Sequence, residues 1–292
     1  AHILKSITDD GWSNSRLPDP NPSTIYTLPP SSSSQTKHKV NLTSYTDTIQ
    51  SEMAEGGDEL KLLGSWSSPY VTRAKLALAV KGLSYENVDE DVHNKSGLLL
   101  ASNPVHKKIP VLIHSGVPVC ESMIIVQYID EAFAGTGPPI LPADPHERAV
   151  ARFWAAYVDD KLVSQWTNSS RGKAGEGRSA EAMKEMVVAV EALEGALREC
   201  SKGKGFFGGD GVGLVDIALG SMHSWLMAIE AMSGAKVFDP ARTPLLAAWM
   251  ERFGALDAAR AVLPDVGRVV ELAKIRHGQA AAASTSSNNK QE

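Results

Sequence analysis

Cysteine is scarce: Cys120 and Cys200 are the only thiols among 292 residues. Two isolated thiols cannot build a disulfide framework or a thiolate metal site, and the plain reading of each is a buried, unpaired side chain. Long apolar runs are also lacking. No stretch approaches the roughly 20 apolar residues that a membrane span requires. Positive charge is not in excess either: the formal net charge is -5 and the pI is near 5.9. A general binder of nucleic acid or of an anionic membrane needs a basic face and is therefore not expected, although a local basic pocket stays open. The default compartment for such a chain is the reducing cytoplasm.

What is present suits a folded chain. A hydrophobic fraction of 43% against 22% charged residues lets burial offset ordering entropy over most of the length, and the length suggests two domains of ordinary size. Residues 1–52 stand apart. They hold 22 Ser, Thr and Pro, including Ser31 to Ser34 and Pro29-Pro30, with no sustained apolar period. Such a segment cannot form a core and reads as a disordered extension; it also lacks the apolar region of a signal peptide, and Asp9, Asp10, Asp19 and Asp47 argue against a transit peptide. The first methionine is Met53, directly before the patterned chain, which points to a natural start there with leader or appended sequence upstream.

From Glu59 the pattern changes. Leu60 to Gly64 reads as a strand and Pro69 to Lys81 as a helix ending at Gly82. Leu83 to Val88 reads as a second strand. A polar segment to Asn103 precedes Ile109 to Ile113, a turn at His114 to Gly116, and Val117 to Val119, which together suggest a hairpin. Glu121 to Phe133 reads as a helix. The expectation is a small four-stranded sheet with helices over residues 58–136, then a Gly- and Pro-rich linker over residues 137–145. After the linker, strand patterns vanish. Ala149 to Trp166, Ala180 to Cys200, Leu214 to Met232, Pro244 to Phe253 and Val266 to Ile275 carry helical apolar spacing, giving an all-helical domain over residues 146–276 and a loose tail over 277–292. The fold class is α+β with two domains.

Three segments could carry chemistry. Ser65-Trp66-Ser67-Ser68-Pro69-Tyr70 lies between the first strand and the first helix, where backbone amides and the helix dipole favour an anion that a serine hydroxyl could also bind. Ser67 or Ser68 could equally be a plain helix cap, with Pro69 in the preferred first position. His106-Lys107-Lys108-Ile109-Pro110-Val111 places a proline at a strand entry. If cis, it turns Ile109 toward an extended peptide ligand; otherwise it is an ordinary edge-strand proline. Cys120-Glu121-Ser122 opens the next helix, where Ser122 suits a carboxylate and Glu121 an ammonium, or both simply cap.

The order and spacing of these segments carry a resemblance. Ser68-Pro69-Tyr70-Val71-Thr72-Arg73, the run from Asn103 to Leu112 and the run from Glu121 to Asp130 are similar to the plant tau class of cytosolic glutathione S-transferases. Later segments, Ala151 to Trp154 with Tyr157 to Lys161, and Phe206 to Asp210, match as well. The likeness covers Glu59 to about Ile275 and leaves out residues 1–52. It implies a thioredoxin-like first domain with Pro110 cis and an all-helical second domain that binds the acceptor substrate. Ser68 corresponds to the catalytic serine. Lys95 and Lys108 correspond to anchors for the glycyl carboxylate of glutathione, Ile109 to the backbone-pairing residue, and Glu121 with Ser122 to the γ-glutamyl anchors. Tyr157 and Trp225 correspond to positions facing the acceptor pocket, and Trp166 lies close enough on the same helix as Tyr157 to join them or to belong to the core. Arg73, one turn after Ser68, either adds to the field there or is a surface residue.

The implied activity is transfer of the glutathione thiolate to electrophilic, largely apolar small molecules, in detoxification and stress response, by a cytoplasmic homodimer that needs no metal or redox cofactor. Glutathione is a co-substrate. A non-catalytic carrier of conjugates and a glutathione-dependent peroxidase are the alternatives; a reductase would place cysteine at position 68. Two departures stand out. Gly213 precedes Asp216 where the wider superfamily often has a Ser or Thr capping box, and His93-Asn94 ahead of Lys95 is less basic than usual.

Overall fold

The computed structural model describes residues 59–170, 176–234 and 236–276. The extension over 1–52, Met53 and the tail over 277–292 lie outside the described residues. Strand β1 (Leu60–Gly64) turns Leu60 and Leu62 to one face of the sheet and Leu63 to the other, where Lys61 reaches out to Glu59 and Glu86. The sheet order is β2-β1-β3-β4, where β2 is Glu86–Asp89, β3 is Val111–His114 and β4 is Val117–Cys120. β2 runs parallel to β1 and the other neighbours run antiparallel, so the sheet is mixed. Leu60, Leu62 and Leu112 pack with Val71, Ala74 and Leu78 of α1 (Pro69–Lys81) and with Ile125 and Ile129 of α3 (Ser122–Ala132). On the opposite face Leu63, Val111 and Ile113 meet Leu99 of α2 (Gly97–Ser102). Pro118 falls on the edge strand β4, where a missing ladder donor costs least.

The pairing register decides where the loops gather. Gly64 pairs with Asp89, Leu63 with Val111, and Val111 with Cys120. The chain therefore leaves β1, β2 and β4 and enters β3 at one end of the sheet. Both long helices of this domain also start there. Gly64 makes the tight strand-to-helix step possible: a Cβ at this position would lie 2.4 Å from Val71 Cγ1. At its other end α1 stops at Gly82, in the left-handed region at φ 67, with its N–H on Ala79 O.

Two elements of this domain differ from the sequence expectation. The second strand starts at Glu86 rather than Leu83, because Leu83 N–H is spent closing α1 on Leu78 O. The polar segment before Asn103 contains α2, whose six residues are too few to show a period; Ser96 Oγ caps it by accepting from Leu99 N at 3.0 Å.

The second half is helical. α4 (Pro145–Tyr157) begins one turn before the expected Ala149, since the Asp144 carboxylate accepts from His146 N and Glu147 N at 2.9 Å each. It runs through a π-helical turn (Val158–Val163) into α5 (Ser164–Ser170), and α6 spans Glu176–Cys200. The single helix expected from Leu214 to Met232 is two, α7 (Leu214–Gly220) and α8 (His223–Ser233). They are separated at Ser221, whose hydroxyl donates back to Ala218 O at 2.8 Å. α9 (Pro244–Gly254), a short α10 (Asp257–Arg260) and α11 (266–276) complete the order.

Two buried carboxylates hold the connections. Asp216 is fully buried and accepts from Phe207 N, Gly208 N, Gly213 N and Trp249 Nε1. Gly213 thus keeps the half of a capping box in which the acid serves the cap N–H. The other half, a serine hydroxyl, has no room, because a Cβ on Gly213 would lie 2.8 Å from Gly208 Cα. Asp130 accepts from Ile140 N and Leu141 N of the linker at 2.9 Å each and pairs with the buried Lys81 ammonium at 2.7 Å.

Burial pushes the Asp130 carboxyl up, but Lys81 and the two backbone donors outweigh it and hold the group below its ordinary 3.8. A folded-state value below the unfolded one contributes stability that is present above about pH 4 and is lost as pH falls through the folded value. Asp130→Asn, which strands the Lys81 charge, is expected to lower the unfolding free energy by about 3 kcal/mol in urea titrations at neutral pH. The gap to wild type should narrow in the acid interval below pH 4; a constant gap would show that the pair does not titrate this way.

Candidate active site

Ser68 is the N-cap of α1. Its backbone is extended (φ -83, ψ 118), its N–H closes a turn on Ser65 O at 3.1 Å, and its Oγ accepts from Val71 N at 3.4 Å. Capping uses an oxygen lone pair and leaves the hydroxyl proton free to donate. The capping and anion-binding readings of this serine are therefore compatible. Its neighbour Ser67 is buried, and Ser67 O accepts from Trp225 Nε1 at 3.0 Å.

The other sequence candidates fall at the same end of the sheet. The peptide between Ile109 and Pro110 is cis, and Ile109 lies two residues outside the β3 pairing. Glu121 is exposed, and its backbone sits at φ 72, ψ 119, a conformation that costs a non-glycine residue about 1–3 kcal/mol. It is locked between the β4 ladder at Cys120 and the first turn of α3. Ser122 is buried at the α3 N-terminus. Lys95 and Lys108 are exposed.

Three buried polar residues hold these loops in shape; the sequence reading raised Arg73 and gave Glu90 and Asn103 no role. Glu90 accepts from Ser96 N at 3.2 Å and Ser96 Oγ at 2.5 Å, which fixes the loop bearing Lys95. Asn103 donates from Nδ2 to Lys108 O at 2.9 Å and accepts on Oδ1 from His106 N at 3.0 Å, shaping the approach to Pro110. Arg73 is neither exposed nor peripheral: its side chain is 1% exposed. Its Nε donates to Ser221 Oγ at 3.2 Å, and its Nη1 to Ser122 Oγ at 3.3 Å and to Asp159 Oδ2 at 3.1 Å, with a further contact from Nη2 to Asp159 Oδ1. Arg73 shares an α1 face with the buried Leu76 and Ala77, three and four residues further on.

The aromatic candidates are placed differently from one another. Tyr157 ends α4, is half-buried, and its phenol is pushed above its ordinary value by burial, so it stays neutral. Trp166 and Trp225 are both buried and meet edge to face with centroids 4.9 Å apart. A separate cleft of about 540 Å³ opens between the linker, α4 and the loop after α6, lined among others by Leu141, Trp154, Cys200, Lys204 and Phe207. None of Ser68, Tyr157, Trp166 or Trp225 lines it. Among the described residues no group of three or more His, Cys, Asp or Glu could hold a metal, and no helix is long and apolar enough to cross a membrane.

Comparison with known proteins bears on this geometry. The chain matches the family models described as glutathione S-transferase N-terminal domain, over residues 58–131, and glutathione S-transferase C-terminal domain, over residues 179–252. It is 58% identical over 213 residues to a probable glutathione S-transferase of Oryza sativa subsp. japonica, covering 72% of this chain and 90% of that one. It superposes on a tau-class glutathione S-transferase from mango, Mangifera indica, with a TM-score of 0.69 and 47% identity, over 75% of this chain and 98% of the other. The chain belongs to the tau class of the glutathione S-transferases. A rice tau transferase solved in complex with glutathione is 41% identical, with a TM-score of 0.68 over 75% of this chain and 98% of that one. The tau-class fold, a thioredoxin-like sheet domain followed by an all-helical domain, is the one described above.

In this transferase the Arg73 cluster joins α1, α3, the π-helical turn and the end of α7 through one guanidinium. Asp159→Ala is expected to cost more stability than Arg73→Met, about 3–5 against about 2 kcal/mol. The first leaves a fully buried cation unpaired, whereas the second leaves an acid that is 36% exposed and reaches water. Urea unfolding of the two variants checks the order.

Proposed function

We propose that this enzyme joins the thiol of glutathione to an electrophilic, largely apolar small molecule, with Ser68 holding the sulfur as thiolate. The observation that carries the reading is the geometry of Ser68: its oxygen caps α1 while its proton remains available at the mouth of a 13-residue helix. An unperturbed thiol has a pKa of about 8.5, so a drop of about two units needs roughly 2.7 kcal/mol of preferential thiolate stabilisation. A hydrogen bond to a charged acceptor contributes about 1.5–3 kcal/mol and a helix N-terminus about 0.3–1 kcal/mol, so the two together suffice without a metal. The thiolate then attacks the acceptor carbon, and the leaving group or the adjacent carbanion takes the balance of charge.

The remaining anchors follow charge. Glutathione brings two carboxylates and one ammonium. Lys95 and Lys108 meet the glycyl carboxylate, the backbone of Ile109 ahead of Pro110 pairs with the extended peptide, Ser122 at the α3 N-terminus takes the γ-glutamyl carboxylate, and Glu121 takes the ammonium. Tyr157, Trp166 and Trp225 are assigned to the acceptor side; of these Tyr157 is the one that keeps solvent-facing surface. Two large apolar side chains on neighbouring helices, Ile124 of α3 and Phe153 of α4, are 56% and 61% exposed and favour a homodimer that covers them. A monomeric sedimentation profile would remove that part. The enzyme is assigned to the cytoplasm, in detoxification and stress response.

Ser68→Ala is expected to reduce kcat with a chloronitroaromatic acceptor by about a hundredfold and to return the pKa of bound glutathione toward about 8.5, with glutathione affinity within a few-fold of wild type. Ultraviolet titration of the bound thiol together with steady-state kinetics reads both. If the bound thiol titrates alike in both proteins, the catalytic role of Ser68 is wrong and a carrier of glutathione conjugates becomes the better reading.

A further inference from the structure

The loop that presents Ser68 is a four-residue turn closed by a single backbone bond, Ser68 N–H to Ser65 O. Its two central residues, Trp66 and Ser67, set the direction in which Ser68 emerges, and one hydrogen bond does not fix them. Each is held from the helical half of the chain. The carbonyl of Ser67 accepts from the buried Trp225 indole, over whose ring the Arg276 guanidinium lies at 5.3 Å. The ring of Trp66 lies under the Arg268 guanidinium, 3.8 Å from the cation to the ring centroid. Both cations belong to α11, and Ser224 Oγ ties α8 to the segment entering α11 by donating to Pro264 O at 2.7 Å.

The geometry points to Arg268 as a positioning residue: by stacking on Trp66 it holds the turn in the pose that directs the Ser68 hydroxyl at the sulfur. Arg268 does not serve the core, since it is an exposed residue whose neighbour Val269 carries the burial of this turn of α11. Trp66 is half-buried and presents a ring face, the surface that a planar guanidinium stacks on and a compact ammonium uses less well. Such a contact at an exposed site is worth a factor of about two to five in an equilibrium. That is small against global stability, but it is enough to repopulate the poses of a turn with one closing bond. The inference rests on the thiolate reading of Ser68 given above.

The test compares Arg268→Leu, Arg268→Lys, Trp66→Leu and the double leucine variant with wild type and Ser68→Ala, using the full chain, glutathione and a chloronitroaromatic acceptor. Arg268→Leu is expected to lower kcat about threefold and to raise the bound-thiol pKa by about half a unit, with the KM for glutathione within about twofold. Arg268→Lys should recover less than half of the loss. Trp66→Leu should match Arg268→Leu, and the double variant should be no worse than either, because both remove one contact. The positioning role is overturned if Arg268→Leu leaves kcat and pKa at wild type, or if the two leucine effects add. It is equally overturned if Arg268→Lys is fully active, which would assign the effect to charge alone. If Ser68→Ala also leaves the bound-thiol pKa unchanged, the thiolate reading itself fails and this inference falls with it; a pKa that responds to Ser68→Ala but not to Arg268→Leu sinks the positioning role alone.

Discussion

The buried guanidinium of Arg73 is the constraint on which the arrangement of the active-site elements depends. A cation that is 1% exposed must find its counter-charge and acceptors inside the protein, because leaving it unpaired costs several kcal/mol. It finds them on three separate segments: Ser122 at the start of α3, Asp159 in the π-helical turn and Ser221 at the end of α7. The segments are 49, 86 and 148 residues away along the chain, so one side chain closes three long loops. Its Nη1 also reaches Ser122, the residue proposed to take the γ-glutamyl carboxylate.

Around that centre the site is assembled by a division of labour. The sheet register gathers the loops, and the buried residues Glu90 and Asn103 shape two of them. Of the groups proposed to touch glutathione, Lys95, Lys108 and Glu121 are exposed, Ser68 and Ile109 half-buried, and Ser122 buried against Arg73. This division suits the proposed site for a flexible tripeptide: the supporting polar groups are desolvated and satisfied, while the proposed anchors Lys95, Lys108 and Glu121 are exposed. The strained backbone of Glu121 fits the same logic. Its cost is borne by a ladder on one side and a helix on the other.

Much of this was readable from the chain, for reasons that vary by element. The leucine-rich β1, the Pro69 start and Gly82 stop of α1, and the hairpin around Ser115-Gly116 announce themselves locally, and the fold class followed from them. The three candidate segments stood out because two open a helix after a strand and the third carries a proline at a strand entry, and strand register brings all three to one end of the sheet. What escaped was either too short for periodicity, as with α2 and α10, or decided by tertiary partners. The break between α7 and α8 falls at Ser221, which is engaged by an arginine from another domain, and the burial of Arg73 cannot be told from a surface arginine without its distant acceptors. The glycine at position 213 reads as a departure from the usual Ser or Thr cap, and close packing against Gly208 requires it.

The π-helical turn after Tyr157 has a consequence for how the helical half can change. In a regular helix each residue advances about 100° around the axis, so the faces of α4 and α5 would be locked in phase. A wider turn between them breaks that phase. The stretch that carries Trp166 is thus offset in phase from the one that carries the counter-ion of Arg73. One helical run can therefore hold Asp159 against the buried cation and still turn Trp166 onto the ring of Trp225, on a face shifted from the one a regular helix would give it.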